Sequence, residues 1–142
     1  MDMLNVFKYK TYSRNPIKNI RNFFQKIKYI YQRASKGYCD WDLYDLDNFY
    51  LNLFSKSIKE FADKTKSMPY NMTEEEWDGI LNETSVCFYN ANENNDVYKN
   101  PYNINTEKEK YFECEKENWE LRTEQLQKGM KLFSKHIRDL WS

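Results

Sequence analysis

The stretch that decides the fold is Gly37-Tyr38-Cys39-Asp40-Trp41, where one helical pattern ends and another begins. Glycine is common just past a helix C-terminus because it adopts the left-handed conformation without a steric penalty. Gly37 therefore predicts the end of a helix formed by the residues before it. Asp40 is well placed to cap the next helix, since a carboxylate accepts the unpaired N–H groups of a first turn.

The segment before Gly37 has the features of an amphipathic helix over residues 16–34. Asn15-Pro16 is typical of an N-cap followed by proline at the first helical position. Apolar side chains then recur at helical spacing: Ile17, Ile20, Phe24, Ile27 and Tyr31, with Phe23 and Ile30 widening the stripe. Residues 1–14 show no clear period, which predicts an irregular N-terminal lead-in.

Two further helices are predicted after Trp41, at residues 40–64 and 73–91. The first is expected to bury one stripe: Leu43, Leu46, Tyr50, Leu53 or Phe54, Ile58 and Phe61. Ser67 to Asn71 is a loop by composition. Thr73 and Glu76 form a capping box at the start of the next helix, which is expected to turn Trp77, Ile80, Leu81, Thr84, Phe88 and Ala91 inward.

The last predicted helix spans residues 106–140, after an asparagine-rich connection at 92–105 that is expected to be the longest and most mobile. Thr106 and Glu109 suggest a second capping box. Large apolar residues repeat every seven positions: Phe112, Trp119, Leu126, Phe133 and Leu140, with Met130, Ile137 and Trp141 filling in. Such a stripe usually packs inside its own bundle. The alternative is a coiled-coil homo-oligomer through residues 112–140. Gly129 is a candidate bend or break.

Composition supports an all-α fold. The 142 residues include only three glycines and three prolines, too few for the many tight turns of a sandwich or barrel. Apolar residues are 40% and charged residues 31% of the chain, a globular composition. We therefore expect residues 15–142 to form a single-domain helical bundle of about four mostly antiparallel helices, with a long C-terminal helix.

The charge is unevenly distributed along the chain. Residues 1–36 carry a net charge of +8 and the remainder carries −8. A basic first helix lying against an acidic body explains this pattern, and the alternatives are a nucleic-acid contact through residues 8–36 or a membrane-surface contact. No stretch approaches the roughly 20 apolar residues of a membrane-spanning helix, and lysine and arginine interrupt every candidate secretory signal.

Several chemistries lack the residues they need. Cys39, Cys87 and Cys114 form no Cys-x-x-Cys pair and His136 is the only histidine, so a structural zinc is not expected. The same cysteines favour a reducing compartment. His136 has no serine or cysteine partner by spacing, and an imidazolium near a helix C-terminus is the ordinary explanation for it. No catalytic residue, metal or cofactor is therefore predicted.

Two acidic clusters are the remaining candidates for chemistry. Residues 40–47 contain Asp40, Asp42, Asp45 and Asp47 interleaved with Trp41 and Tyr44. These carboxylates could satisfy the helix start, pair with the basic first helix, bind a partner or hold magnesium. Glu75-x-x-Asp78 and the series Glu113, Glu117, Glu120 and Glu124 are similar to carboxylate pairs of all-helical nucleotide pyrophosphohydrolases, but their order and separation differ. A solvated face is the favoured interpretation of that series.

The stretch from Arg33 to Asp47 resembles a segment of small proteins of tailed bacteriophages and prophages. Those proteins typically read Arg-Gly-Tyr-Ser-Asp, then an acidic and aromatic run and a helix, and here Cys39 replaces the serine. Further similarity lies in Glu75 to Trp77, in Phe88 to Glu93 and from Lys131 to Trp141. The family has no assigned activity, so no catalytic residue is carried over. The resemblance implies phage origin, an accessory role and the host cytoplasm, with the virion as the alternative.

These patterns lead to a hypothesis of non-enzymatic binding to a host or defence component. The expected contact residues surround the Gly37 turn: Arg33, Tyr38, Asp40, Trp41, Asp42, Tyr44 and Asp45. Three alternatives come from other classes of function. They are a sponge for a small nucleotide signal, a structural component of the virion, and a magnesium-dependent nucleotide hydrolase.

Overall fold

A computed structural model describes residues 15–65 and 68–141, and the predicted lead-in at 1–14 and Ser67 lie outside this range. The described residues contain no strand and form four α-helices: α1 (Pro16–Lys36), α2 (Leu46–Lys64), α3 (Glu74–Ala91) and α4 (Lys108–His136). Short 3-10 helices span Asp42–Asp45 and Ile137–Trp141. The all-α prediction, with a long C-terminal helix, is confirmed. No helix among these residues is long and apolar enough to cross a membrane.

The chain divides into a first unit that ends at Leu46 and a second unit that begins at Asp47. Both predicted ends of α1 are confirmed. Asn15 accepts a hydrogen bond from the Ile17 N–H at 3.0 Å, and Pro16 holds the first helical position. Gly37 has a left-handed φ of 82°, and its N–H donates to the Arg33 carbonyl at 3.0 Å.

The predicted start of the second helix at Asp40 is wrong. A 3-10 helix occupies Asp42–Asp45, and α2 begins only at Leu46. Asp40 caps neither element, because its carboxylate accepts hydrogen bonds from Lys28 and Gln32 instead. The sequence offered two kinds of partner for Asp40, the unpaired N–H groups of a helix start and the side chains of the basic first helix, and Lys28 and Gln32 of α1 hold it.

In the second unit, α2, α3 and α4 run antiparallel in chain order. The Ser85 hydroxyl of α3 donates to the Ser55 carbonyl of α2 at 2.8 Å. At the other end of the pair, the Asn92 amide after α3 donates to the Asn48 carbonyl at 2.9 Å. Between α3 and α4, Lys128 pairs with Glu83 at 2.6 Å.

The core of the second unit lies where these three helices meet. Its buried members are Leu51, Ile58, Trp77, Leu81, Phe88 and Ala91. Full burial of each large side chain contributes roughly 1.5–3 kcal/mol relative to exposure. The α3 stripe predicted to face inward therefore does so, although its Ile80 is only half-buried.

The two predicted capping boxes have different outcomes. Thr73 accepts from the Glu76 N–H at 3.2 Å and Glu76 accepts from the Thr73 N–H at 2.9 Å, which confirms the first box. The second box is wrong, because α4 begins at Lys108 after Glu107, whose side chain makes no cap hydrogen bond. The asparagine-rich loop before α4 forms its own turns instead, with Asn103 accepting from the Asn105 N–H at 2.9 Å.

Gly129 does not break α4, which is continuous from Lys108 to His136. The glycine is buried against α3, where a Cβ atom would lie 3.1 Å from Cys87 Cβ and 3.3 Å from Phe88 Cε1. The absence of a side chain at Gly129 therefore allows α3 and α4 to approach each other closely.

Part of the apolar surface predicted to be buried is exposed. In the α2 stripe the exposed members are Leu43, Leu46 and Tyr50. In the α4 stripe they are Phe112, Trp119, Leu126, Met130 and Ile137. Only the C-terminal part of the heptad, Phe133 and Leu140, packs against the core. A heptad marks an apolar stripe but does not say which part of it a neighbouring helix covers.

Candidate binding surface

The candidate site is built on a turn that we call the corner, residues 37–45, at the C-terminus of α1. After Gly37 reverses the chain, Cys39 is buried and the 3-10 helix follows at Asp42. The corner contains six of the seven residues predicted to make contacts, and Arg33 lies one helical turn before it. All seven therefore belong to the first unit.

Asp42 is the buried anchor of the corner. Its carboxylate accepts the Cys39 N–H at 2.7 Å and the Arg33 Nε–H at 2.9 Å. A second, shorter bond joins Arg33 Nη2 to the other carboxylate oxygen. The pair is therefore bidentate, which is the strongest and most directional form of an arginine–carboxylate contact.

Asp40 forms a second, exposed attachment to α1. Its carboxylate accepts from Lys28 Nζ and from Gln32 Nε2, each at 2.7 Å. Its backbone N–H donates to Gln32 Oε1 at 3.1 Å, so the contact with Gln32 is reciprocal. Lys28 and Gln32 are one turn apart on the same face of α1. The corner is thus held to α1 at two carboxylates.

These contacts change the acid–base behaviour of the groups involved. Burial acts to raise the pKa of Asp42, but the hydrogen bonds from Arg33 and Cys39 outweigh it, so the pKa lies below its ordinary value. The hydrogen bond from Lys28 lowers the pKa of Asp40 and raises that of Lys28. Burial raises the pKa of the Cys39 thiol. A thiol with a raised pKa is a poor nucleophile at neutral pH.

With both carboxylates held against α1, the corner presents aromatic and aliphatic side chains to solvent. Trp41 is 47% exposed, Leu43 53% and Tyr44 86%. The rings of Trp41 and Tyr44, three residues apart, have centroids 6.1 Å apart at an angle of 54°. Large amphipathic rings on a rigid support are the usual energetic centres of protein interfaces.

The apolar face of α1 is also uncovered within the first unit. No residue of this helix is buried. Its exposed large side chains are Ile17, Ile20, Phe23, Phe24, Ile27 and Tyr31. The helix contains six lysines or arginines and no acid over its 21 residues. α1 is therefore a basic amphipathic helix whose apolar stripe is available for contact.

The structure divides the predicted contact residues into two groups. Arg33, Asp40 and Asp42 are engaged with each other or with α1 and hold the corner together. The other four are exposed: Tyr38, Trp41, Tyr44 and Asp45. Sequence reasoning missed Leu43, which was expected to be buried. Its position in a helical stripe was the only signal available, and that signal pointed inward.

The acidic residues, the cysteines and the histidine considered for metal binding or catalysis do not form a site in the described part of the chain. Among residues 15–65 and 68–141, no group of three or more His, Cys, Asp or Glu side chains could hold a metal ion. The glutamates predicted to form a solvated face are exposed: Glu113, Glu117, Glu120 and Glu124. His136 is buried in the last turn of α4, with Nδ1 3.0 Å from Asp139 Oδ2 and its ring against Trp77.

No protein family, curated protein or solved structure matches this chain.

Proposed function

We propose that this chain is a non-catalytic phage accessory protein that binds an acidic surface of a host or defence protein. The contact is made by the first unit, through Trp41, Leu43 and Tyr44 of the corner and the apolar face of α1. Asp40 and Asp42, two of the carboxylates considered as magnesium ligands, instead hold the contact surface to α1.

The observation that carries the proposal is the exposed aromatic pair of Trp41 and Tyr44 on a corner fixed by two carboxylates. Ordering mobile side chains on binding costs free energy, so a surface that is already rigid binds more tightly. The bidentate bond between Arg33 and Asp42 provides that rigidity. Tyrosine and tryptophan are also the side chains most enriched among interface residues that dominate affinity.

The charge of α1 indicates what kind of partner fits. With six cations and no acid, its field attracts a negative surface and repels a basic one. An acidic protein surface with an apolar centre complements both the charge and the stripe. A nucleic acid or an anionic membrane would share the charge preference, so the test has to distinguish the three.

The test is affinity enrichment of the tagged protein from infected host cells, followed by binding of the purified partner by calorimetry. We expect one acidic protein to be enriched with the wild-type chain and lost with the double variant Trp41→Ala, Tyr44→Ala. Each truncated interface aromatic typically costs about 2 kcal/mol or more, so the purified partner should bind the double variant at least about 100-fold more weakly.

Tyr70→Ala is the matched control, because Tyr70 is fully exposed in the loop before α3. It should leave the affinity unchanged. The proposal is contradicted when enrichment is the same for the double variant and the wild type. It is also contradicted when the retained material is nucleic acid or lipid, or when the purified chain releases phosphate from nucleotides with magnesium.

A further inference from the structure

A second apolar surface lies on α4, in the second unit. Its exposed members Phe112, Trp119, Leu126 and Met130 follow one line along the helix, and Ile137 continues this line directly after the helix ends. Spacings of seven, seven, four and seven residues place them on one narrow face. Trp119 is 66% exposed, an unusual position for the largest apolar side chain. This face lies beside the side of α4 that packs on the core, where Gly129 meets α3.

A groove follows this face between α4 and α2. Its cavity of about 320 Å³ has Phe88 at its floor, Tyr50 and Phe54 on the α2 side, and Trp119 and Met130 on the α4 side. Phe88 is fully buried, whereas Tyr50 and Met130 are each nearly half exposed. The groove is therefore an open apolar trough with room for an aromatic side chain from a partner.

The charges of α4 are segregated along its length. Residues 109–124 carry six glutamates and three basic residues, a net charge of −3, whereas residues 125–136 carry three lysines and no acid. The helix dipole favours acidic residues near the N-terminus of a helix and basic residues near its C-terminus, but this effect acts only within the first and last turns. The segregation here extends to the middle of the helix, which is a pattern that two antiparallel copies would satisfy.

We infer that the occupant of this groove is a second copy of the chain, packed antiparallel along α4. A twofold axis between Glu124 and Gln125 places Trp119 opposite Met130 of the second copy and Phe112 opposite its Ile137. The same axis brings the acidic half of each helix beside the basic half of the other. Trp119 of one copy then fills the Met130 end of the groove in the other.

The flanking charges agree with the same register. In antiparallel helix pairs, equivalent flanks face each other, so residues on one side of α4 meet the same side of the second copy. At roughly 100° per residue, Glu120 and Lys131 both lie on the flank of α4 that faces away from the core. Both side chains are exposed. The pairing therefore brings Glu120 of each copy near Lys131 of the other, which gives two glutamate–lysine pairs per dimer, one on each side of the axis.

The test is sedimentation velocity of the full chain over a concentration series, with charge-reversed variants. The acidic variant is Lys131→Glu, and the basic variant is Glu120→Lys. The wild type should dimerise. Each variant alone should dimerise at least about threefold more weakly, because exposed ion pairs contribute about 0.2–1 kcal/mol each and both pairs in the dimer become like-charge repulsions of similar size.

Mixing the two variants provides the decisive measurement. An antiparallel dimer predicts that the acidic and basic variants associate with each other at wild-type affinity or better. Trp119→Ala should weaken the dimer with unchanged helicity by circular dichroism, since this side chain lies outside the core. The inference is overturned when the wild type stays monomeric at about 1 mM, when Trp119→Ala leaves dimerisation unchanged, or when the mixed variants remain monomeric.

Discussion

At the scale of single residues, Gly129 shows how one missing side chain determines the distance between two helices. Replacing it with alanine places a Cβ atom 3.1 Å from Cys87 Cβ, which is fixed to the α3 backbone and cannot rotate away. Alanine gains up to about 1 kcal/mol in helix propensity, but overpacking of a tight contact costs about 1–3 kcal/mol. We therefore expect Gly129→Ala to lower the free energy of unfolding in urea.

Gly79→Ala is the matched control for this prediction. Gly79 also lies inside a helix, but nothing is within 4 Å of the position of its Cβ. It should raise the free energy of unfolding by up to about 1 kcal/mol. If both substitutions stabilise the protein, α3 and α4 are not in the close contact described.

Single residues also mark the limit of what could be predicted. Gly37, Asn15 and Thr73 were correctly assigned to helix ends, because capping depends on a few adjacent residues whose chemistry is local. Gly129 was assigned as a bend or break because its neighbour in space, Cys87, is distant in the sequence. A residue's local preference is readable from the sequence alone, whereas the partner that overrides it is not.

At the scale of elements, the corner depends on Asp42. Asp42→Ala leaves the Arg33 guanidinium and the Cys39 N–H without their acceptor, and losing a hydrogen bond to a charged group costs about 1.5–3 kcal/mol. We expect the Cys39 amide to exchange with deuterium at least about tenfold faster in this variant. Asp45→Ala, an exposed position in the same 3-10 helix, should leave the Cys39 rate within about threefold of wild type.

The same contact predicts a pH dependence. The pKa of Asp42 is lower in the folded protein than in the unfolded chain, so its stabilisation is complete above the ordinary aspartate pKa of about 4. It is lost as the pH falls through the lowered value. In the wild type, protection of the Cys39 amide from hydrogen exchange should therefore decrease below about pH 4. In Asp42→Ala, this protection should not depend on the titration of residue 42. Equal protection factors in the two proteins across this pH range would contradict the assigned contact.

Element boundaries near the corner could not be predicted, for a physical reason. Asp40 was expected to cap a helix, since aspartate is a strong capping residue. A lysine and a glutamine one turn apart on α1 compete for the same carboxylate, and they hold it. The competition is decided by the path of the chain through Gly37. The four helices themselves were predictable because their apolar periodicity is long and repeated.

At the scale of the whole molecule, apolar stripes are predictable but their partners are not. Both α1 and α4 show clear helical periodicity, and the stripe of α4 was expected to pack inside a bundle. The structure instead leaves Phe112 and Trp119 exposed, as it does the stripe of α1. Periodicity records that a face is apolar and cannot distinguish a core from an interface. Three of the predicted contact residues, Arg33, Asp40 and Asp42, hold the corner together, and contact through the other four stays a prediction.

The most direct test of the proposed function is photo-crosslinking in infected host cells. A photoreactive phenylalanine analogue replaces Trp41 in one variant and the fully exposed Tyr70 in another. The proposal predicts one discrete protein adduct from position 41, with an acidic partner identified by mass spectrometry, and no such adduct from position 70. No adduct from position 41, or the same adducts from both positions, would contradict binding through the corner.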